Sequence, residues 1–128
     1  MRQEIQVAGL THGTTPIPLG TKIENLVFSS AISGIDPTTG HAPADPRAQV
    51  AQLFRNIEAF MRAAGGSPAD IGHMTVYVAS EEIRSYINEE WVAMYPDPAA
   101  RPARHALVTP LRGGVVAQVE LIAVLPKA

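Results

Sequence analysis

The chain has 128 residues, 46% of them hydrophobic and 17% charged, and 10 Lys and Arg against 12 Asp and Glu give a formal net charge of −2. This composition predicts one compact domain and offers no basic stripe for nucleic acid. The absence of cysteine excludes disulfides, thiol nucleophiles and Cys-based metal sites. Neither a signal segment nor an apolar run long enough to cross a bilayer is recognisable, so the expected location is the cytoplasm.

The first third of the chain predicts short strands separated by a long loop. Residues 4–7 alternate weakly between polar and apolar side chains, which indicates a first strand. Residues 9–20 are rich in Gly, Thr and Pro, a composition typical of irregular structure. Residues 26–29 and 31–35 then predict one broken strand or two, ending in a turn at residues 36–40.

The clearest element in the sequence is a helix that begins at Pro46. Asp45 can cap it, and Pro46 suits the first helical position because an amide hydrogen is not needed there. Apolar residues recur at helical spacing as far as Ala64, and Gly65 ends the helix. The apolar positions before Ala64 are Val50, Leu53, Phe54, Ile57, Phe60 and Met61.

The second half of the chain predicts a strand, a helix and two further strands. Residues 74–79 have the β-branched and aromatic content of a buried strand. Ser80 is expected to cap the helix, and residues 105–109 and 115–124 predict the last strands. The apolar stripe of the helix is Ile83, Ile87, Trp91 and Met94.

This order of elements predicts a single α/β domain of the α+β type over residues 1–128. We expect a sandwich in which both helices cover one face of a mixed sheet. The other face then needs cover from elsewhere, and a partner subunit is the natural source.

Arg104 is the basic residue best placed to bind a carboxylate, because it opens an apolar strand. On the last strand the odd positions are apolar, whereas Gln118 and Glu120 interrupt the even face. Side chains two apart on a strand point the same way, here roughly 6 to 7 Å apart. An arginine beside this polar pair on a neighbouring strand predicts a small-molecule site.

Short segments along nearly the whole chain resemble the Rid family, the YjgF-type imine and enamine deaminases. Their order and spacing carry the resemblance more than any one of them does. The matching segments are residues 25–30, 35–40, 64–66, 70–71, 75–78, 102–104 and 119–123, with Gln49, Asn56 and Asn88.

The resemblance implies a chorismate-mutase-like fold assembled into a homotrimer, with ligand clefts between subunits. It also implies hydrolysis of a 2-imino acid, or its enamine tautomer, to a 2-oxo acid and ammonia, without a cofactor. A bulkier aminomuconate-like enamine is a further substrate candidate. A different class stays open: a non-catalytic trimeric binder of small carboxylates such as 2-oxo acids. RNA cleavage, described for some relatives, is disfavoured by the negative net charge.

Three positions match the parts of the family cleft that bind substrate. Arg104 is expected to hold the substrate carboxylate, and Asn88 and Ser30 to line the cleft. The backbone amides of His105 and Ala106 could contact the same carboxylate. Each side chain also has a plainer interpretation: a surface arginine paired with an acid, a solvated asparagine, or a serine bonded to nearby backbone.

The catalytic positions depart from the family pattern. Gln118 stands where many members have a glutamate, and an amide can orient water but cannot accept its proton near neutral pH. Ile17 stands where an aromatic hydroxyl is common. Glu120 and the loop residue His12 are therefore candidate bases. The alternatives are that Glu120 is a structural carboxylate and that His12 is simply a histidine in a mobile loop.

A metal site is not expected from this sequence. The remaining histidines lack metal-ligand spacing and have no cysteine partners. They are His41, His73 and His105.

Overall fold

The computed structural model describes residues 1–127, which form seven strands, two helices and a short 3₁₀ turn. In chain order these elements are β1 (Arg2–Ile5), β2 (Gly20–Ile23), β3 (Leu26–Ser29), β4 (Ile32–Ser33), α1 (Pro46–Ala64), the 3₁₀ turn (Pro68–Asp70), β5 (Ile71–Val78), α2 (Ile83–Met94), β6 (Ala103–Val108) and β7 (Ala117–Val124). No helix within residues 1–127 is long and apolar enough to span a bilayer.

All the strands belong to one sheet in the order β1-β2-β3-β7-β5-β6, with β4 also paired to β7. The pair β5–β6 is parallel and the other pairs are antiparallel, which confirms the mixed sheet. Consequently β5 lies between the last two strands of the chain, and β6 is an edge strand.

The helix α1 forms as its local sequence predicts. Asp45 accepts a hydrogen bond from the amide of Ala48 at 3.0 Å, and Pro46 occupies the first turn. Gly65 ends the helix in the left-handed conformation, with φ of 91°. Such a backbone favours glycine, because a Cβ is strained there.

Other boundaries differ from the predictions. The first strand lies at Arg2–Ile5, and the prediction missed β2, because the preceding prolines suggested that the loop extends to Gly20. The expected cap by Ser80 is wrong: its hydroxyl hydrogen-bonds to the Glu82 carboxylate at 3.3 Å, and α2 begins only at Ile83.

Both helices cover the same face of the sheet, as predicted. The odd-numbered residues of β7 are buried on this face. Across the sheet, Leu121 of β7 pairs with Met74 of β5, and Met74 pairs with Arg104 of β6. Arg104 in turn contacts α2. The opposite face carries exposed apolar side chains on three strands. These are Leu26, Leu107, Ile122 and Val124. A partner subunit that covers this face, as in a homotrimer, stays a prediction.

Two buried polar residues join α1 to the segments around it. Gln49 is 2% exposed, its Nε2 donates to the carbonyls of Pro43 and Gly114, and its Oε1 accepts from the amide of Val116. Gly34 packs directly on this turn of the helix, since a Cβ there would lie 2.2 Å from the Gln49 carbonyl oxygen. Gln49 thus holds the segment that leads into β7.

Asn56, seven residues further along α1, also joins the helix to a neighbouring segment. It is 2% exposed, and its Nδ2 donates to the carbonyl oxygens of Ser33 and Ile35 at 2.7 and 2.8 Å. Its Oδ1 accepts from Gln52 at 2.9 Å. Buried amides with all their bonds made stabilise a unique packing. Gln49 and Asn56 therefore position the two segments that flank the cavity described below.

Candidate functional site

Arg104 is held on the helix side of the edge strand β6. It pairs with the buried Met74 of β5, so its side chain points toward α2. Its Nη2 donates to Oδ1 of Asn88 at 2.7 Å, and its Cζ lies 4.9 Å from the centroid of the Trp91 ring. A hydrogen bond and a cation–π contact together fix the plane of the guanidinium.

The charge of Arg104 has no acidic partner among residues 1–127. The two ion pairs in this part of the chain involve other arginines, and Nη1 of Arg104 is buried without a hydrogen-bond partner. Burial, and then the nearby charge of Arg84, lower the pKa of Arg104, although an arginine stays protonated at neutral pH. A half-buried cation without a counter-charge is stabilised by a bound anion.

Gln118 and Glu120 share one face of β7, as predicted, but it is the face turned away from the helices. Glu120 pairs with Thr75, whereas Arg104 pairs with Met74. Met74 and Thr75 are consecutive on β5, so their side chains point to opposite faces of the sheet. Because β5 separates β6 from β7, the prediction of neighbouring strands is wrong. Within a single chain Arg104 and the polar pair lie on opposite sides of the sheet, and they do not share a crevice.

Glu120 accepts a hydrogen bond from a residue of the neighbouring strand β5. The hydroxyl of Tyr77 donates to Oε1 of Glu120 at 2.7 Å, and this bond raises the pKa of Tyr77. Glu120 lines a shallow pocket with His73 and Thr75. His105 pairs with Thr75 on the same open face, so its side chain points away from the guanidinium of Arg104. These contacts fit a structural carboxylate, and a role as base stays a prediction.

A cavity of about 380 Å³ brings together His12 and Gln118, which are far apart in the sequence. Leu19, Ile32 and Val115 contribute apolar side chains to its lining. Arg112, in the turn before β7, lines the cavity as well. Arg112 was not among the residues predicted from the sequence, although it lies in a glycine turn six positions before Gln118.

Ser30 and Ile17 lie together beside a separate shallow pocket. The hydroxyl of Ser30 donates to the carbonyl oxygen of Pro18 at 2.9 Å, and its amide donates to that of Leu19 at 2.7 Å. Ser30 therefore holds the loop that carries Ile17, which matches its plainer interpretation. Contact of either residue with a substrate stays a prediction.

The remaining predicted positions lie near Arg104. Asn88 is the hydrogen-bond partner described above, and the carbonyl oxygen of Ala106 faces Arg84 at 3.5 Å. Arg84 was missed in the sequence, although it precedes Asn88 by four residues and so shares its helix face. Within residues 1–127 no three His, Asp or Glu side chains cluster in a way that could hold a metal ion.

Residues 17–125 match the family described as Endoribonuclease L-PSP, which spans most of the chain. The chain belongs to this family, the YjgF/Rid family. One Rid relative, the 2-iminobutanoate/2-iminopropanoate deaminase of Escherichia coli strain K12, is 32% identical over 111 residues. That alignment covers 85% of this chain and 87% of the relative.

Solved Rid structures agree with the fold. RidA from the Antarctic bacterium Psychrobacter sp. matches with a TM-score of 0.87 and 31% identity, over 96% of this chain and 99% of that chain. Escherichia coli TdcF, crystallised with bound serine, matches with a TM-score of 0.87 and 28% identity, over 97% of this chain and 99% of that chain. The resemblance stated from the sequence segments is therefore confirmed.

Proposed function

We propose that this protein hydrolyses an imine or enamine that bears a carboxylate, releasing ammonia and the oxo compound. The observation that carries this proposal is the guanidinium of Arg104, held by Asn88 and Trp91 but without an acidic partner in residues 1–127. Membership of the Rid family supports it, as does the name of the Escherichia coli relative. The serine bound by TdcF also carries a carboxylate.

The chemistry asks little of the protein. In the proposed reaction Arg104 binds the substrate carboxylate through two parallel hydrogen bonds. A water oxygen adds to the imine carbon and one proton of that water reaches the nitrogen. The remaining hydroxyl proton is then transferred to the nitrogen as the carbonyl forms, and the C–N bond breaks to release ammonia. Imines react with water unaided, so orienting the water and moving its two protons to the nitrogen are the main contributions. Gln118 can orient that water and His12 can take its proton.

A second copy of the chain completes the site in this proposal. The cavity with His12 and Gln118 and the guanidinium of Arg104 lie on different parts of one chain, so one molecule alone cannot place both on a small substrate. The exposed apolar side chains of the open sheet face favour self-association. We therefore propose a homotrimer with its clefts between subunits, as the family resemblance implies.

Mixed oligomers test the shared site. Arg104→Ala and Gln118→Ala are each expected to lower ammonia release from 2-iminopropionate. Subunits unfolded together and refolded as a mixture should regain activity, because about one quarter of randomly assorted sites then combine an intact Arg104 with an intact Gln118. The two variants refolded separately and then mixed serve as the control. A mixture no more active than the mean of the two variants would contradict a site built from two chains.

A non-catalytic binder of small carboxylates is the second candidate. One observation favours it: within residues 1–127, no Asp or Glu lines the cavity that holds His12 and Gln118. Such a protein would bind a 2-oxo acid and gain thermal stability from it without turning over an imine.

The substitution Gln118→Glu separates the two candidates. If His12 already moves the proton, the added carboxylate is expected to change kcat/KM for 2-iminopropionate by less than about tenfold. A general base that was missing before would typically add 10²- to 10⁴-fold. The rate of imine loss in the wild type and the variant decides this. A gain of the larger size would identify the natural protein as a binder that has lost its base.

A further inference from the structure

Two arginines lie side by side in the groove between α2 and β6. Arg84 and Asn88 are one helical turn apart, and Arg104 and Ala106 are two residues apart on the strand. Nη2 of Arg84 lies 3.5 Å from the carbonyl oxygen of Ala106, while Nη2 of Arg104 lies 2.7 Å from Oδ1 of Asn88. A helical turn and two strand residues both measure roughly 6 Å. The two contacts therefore bridge the groove at matched spacing.

The groove carries more positive than negative charge. The charge of Arg84 contributes to lowering the pKa of Arg104, after burial, so the two guanidinium groups repel each other. Among the residues that the structure describes, Arg84 forms one ion pair, with Glu81 at 2.8 Å, and the Glu81 side chain is 72% exposed. Exposed ion pairs of this kind contribute little to stability. Both guanidinium groups thus remain able to bind an anion.

The position of Arg84 is not explained by its ion pair alone. A surface arginine paired with the glutamate three residues before it needs no contact with the sheet. Here the side chain instead crosses from α2 to β6 and reaches the residue two positions from Arg104. The observed geometry places a second cation beside the proposed carboxylate anchor.

We infer that Arg84 is a specificity-determining residue that binds a second carboxylate of the substrate, while Arg104 binds the first. The substrate is then an imino or enamino dicarboxylic acid. This inference rests on the proposed function, since it takes Arg104 as the anchor. Two carboxylates opposite two guanidinium groups relieve the mutual repulsion of the cations, which one carboxylate does only in part.

Binding of oxo acids tests the inference without requiring catalysis. The probes are 2-oxoglutarate, with two carboxylates, and 2-oxobutyrate, with one, titrated calorimetrically into the wild-type oligomer. The wild type is expected to bind 2-oxoglutarate about 10- to 150-fold more tightly, as one additional charged hydrogen bond allows. Arg84→Ala should bring the ratio of the two Kd values near one, and Arg84→Lys should retain part of the preference.

Arg47→Ala is the matched control. Arg47 is also paired with a glutamate, Glu89, and stacks on Tyr86 of α2 at 4.7 Å, but within residues 1–127 it makes no hydrogen bond to β6. This variant is expected to keep the wild-type ratio of Kd values. A ratio that is equal in the wild type and in Arg84→Ala would overturn the inference, and so would an equal loss of affinity for both probes.

Hydrolysis separates this inference from the proposed function. The imines 2-iminoglutarate and 2-iminopropionate, formed in situ from glutamate and alanine by amino-acid oxidases, are followed by ammonia release. Faster turnover of 2-iminoglutarate, with the advantage lost in Arg84→Ala, is expected. A dicarboxylate preference in binding without hydrolysis of either imine would refute the proposed enzyme but not the role of Arg84. Hydrolysis of both imines at equal efficiency would refute the role of Arg84 alone.

Discussion

Replacing Arg104 by alanine is expected to lower kcat/KM for 2-iminopropionate by roughly 10- to 150-fold. The loss of a charged hydrogen bond costs about 1.5 to 3 kcal/mol, and about 1.4 kcal/mol corresponds to a tenfold change in rate. The effect should appear mainly as a higher KM with kcat little changed, because the carboxylate contact forms on binding and persists in the transition state. Imine generated by an amino-acid oxidase, with loss of the imine and release of ammonia both recorded, gives the measurement.

Two variants make the Arg104 experiment specific. Arg104→Lys keeps the charge but cannot form two parallel hydrogen bonds, so its kcat/KM should fall between those of the wild type and Arg104→Ala. Arg101→Ala removes an arginine three positions earlier, whose Nε donates to the carbonyl oxygen of Tyr95 at 2.9 Å, and it should keep the wild-type rate. Equal rates for the wild type and Arg104→Ala would remove Arg104 from the mechanism.

Replacing Gln49 by alanine is expected to lower the free energy of unfolding by about 3 kcal/mol. The substitution removes three hydrogen bonds of a buried side chain and leaves the amide of Val116 without its acceptor, and each unsatisfied buried group costs about 1 to 3 kcal/mol. Urea unfolding of the wild type and the variant, at one fixed protein concentration, measures the difference.

Glu58→Ala is the control for Gln49, because Glu58 lies on the exposed side of the same helix. Exposed substitutions of this kind usually change stability by less than about 0.5 kcal/mol. If Gln49→Ala costs no more than Glu58→Ala, the hydrogen bonds of Gln49 do not stabilise the start of β7. Because Gln118 follows on β7, Gln49→Ala is also expected to weaken binding of 2-oxobutyrate at 25 °C.

Local sequence was sufficient where one element contains its own signals. For α1 the cap, the proline in the first turn, the apolar spacing and the closing glycine all lie within the helix or beside it. The common face of Gln118 and Glu120 follows equally directly, because side chains alternate along any strand. For β2 no such signal was strong enough. Its four residues are ordered by pairing with β1 and β3, and pairing depends on residues elsewhere in the chain.

Some proximities among the candidate residues were predictable from the sequence, but their arrangement was not. His12 and Gln118 do meet at one cavity, and Asn88 does contact Arg104. The direction of Arg104 was not predictable, because it depends on a parallel register with β5 that pairs it with Met74. The roles of Gln49 and Arg84 depend in the same way on where α1 and α2 pack.

The amino-acid sequence by itself determined the family, the main helix and the alternation of faces on β7, because these follow from recurring motifs and from backbone periodicity. Only the tertiary structure decided that β5 separates β6 from β7, that Arg104 faces the helices and Gln118 the open side, and that Arg84 reaches Ala106. The reason is physical. Periodicity is a property of the local backbone, whereas strand order and register are set by contacts between residues that are distant in the chain.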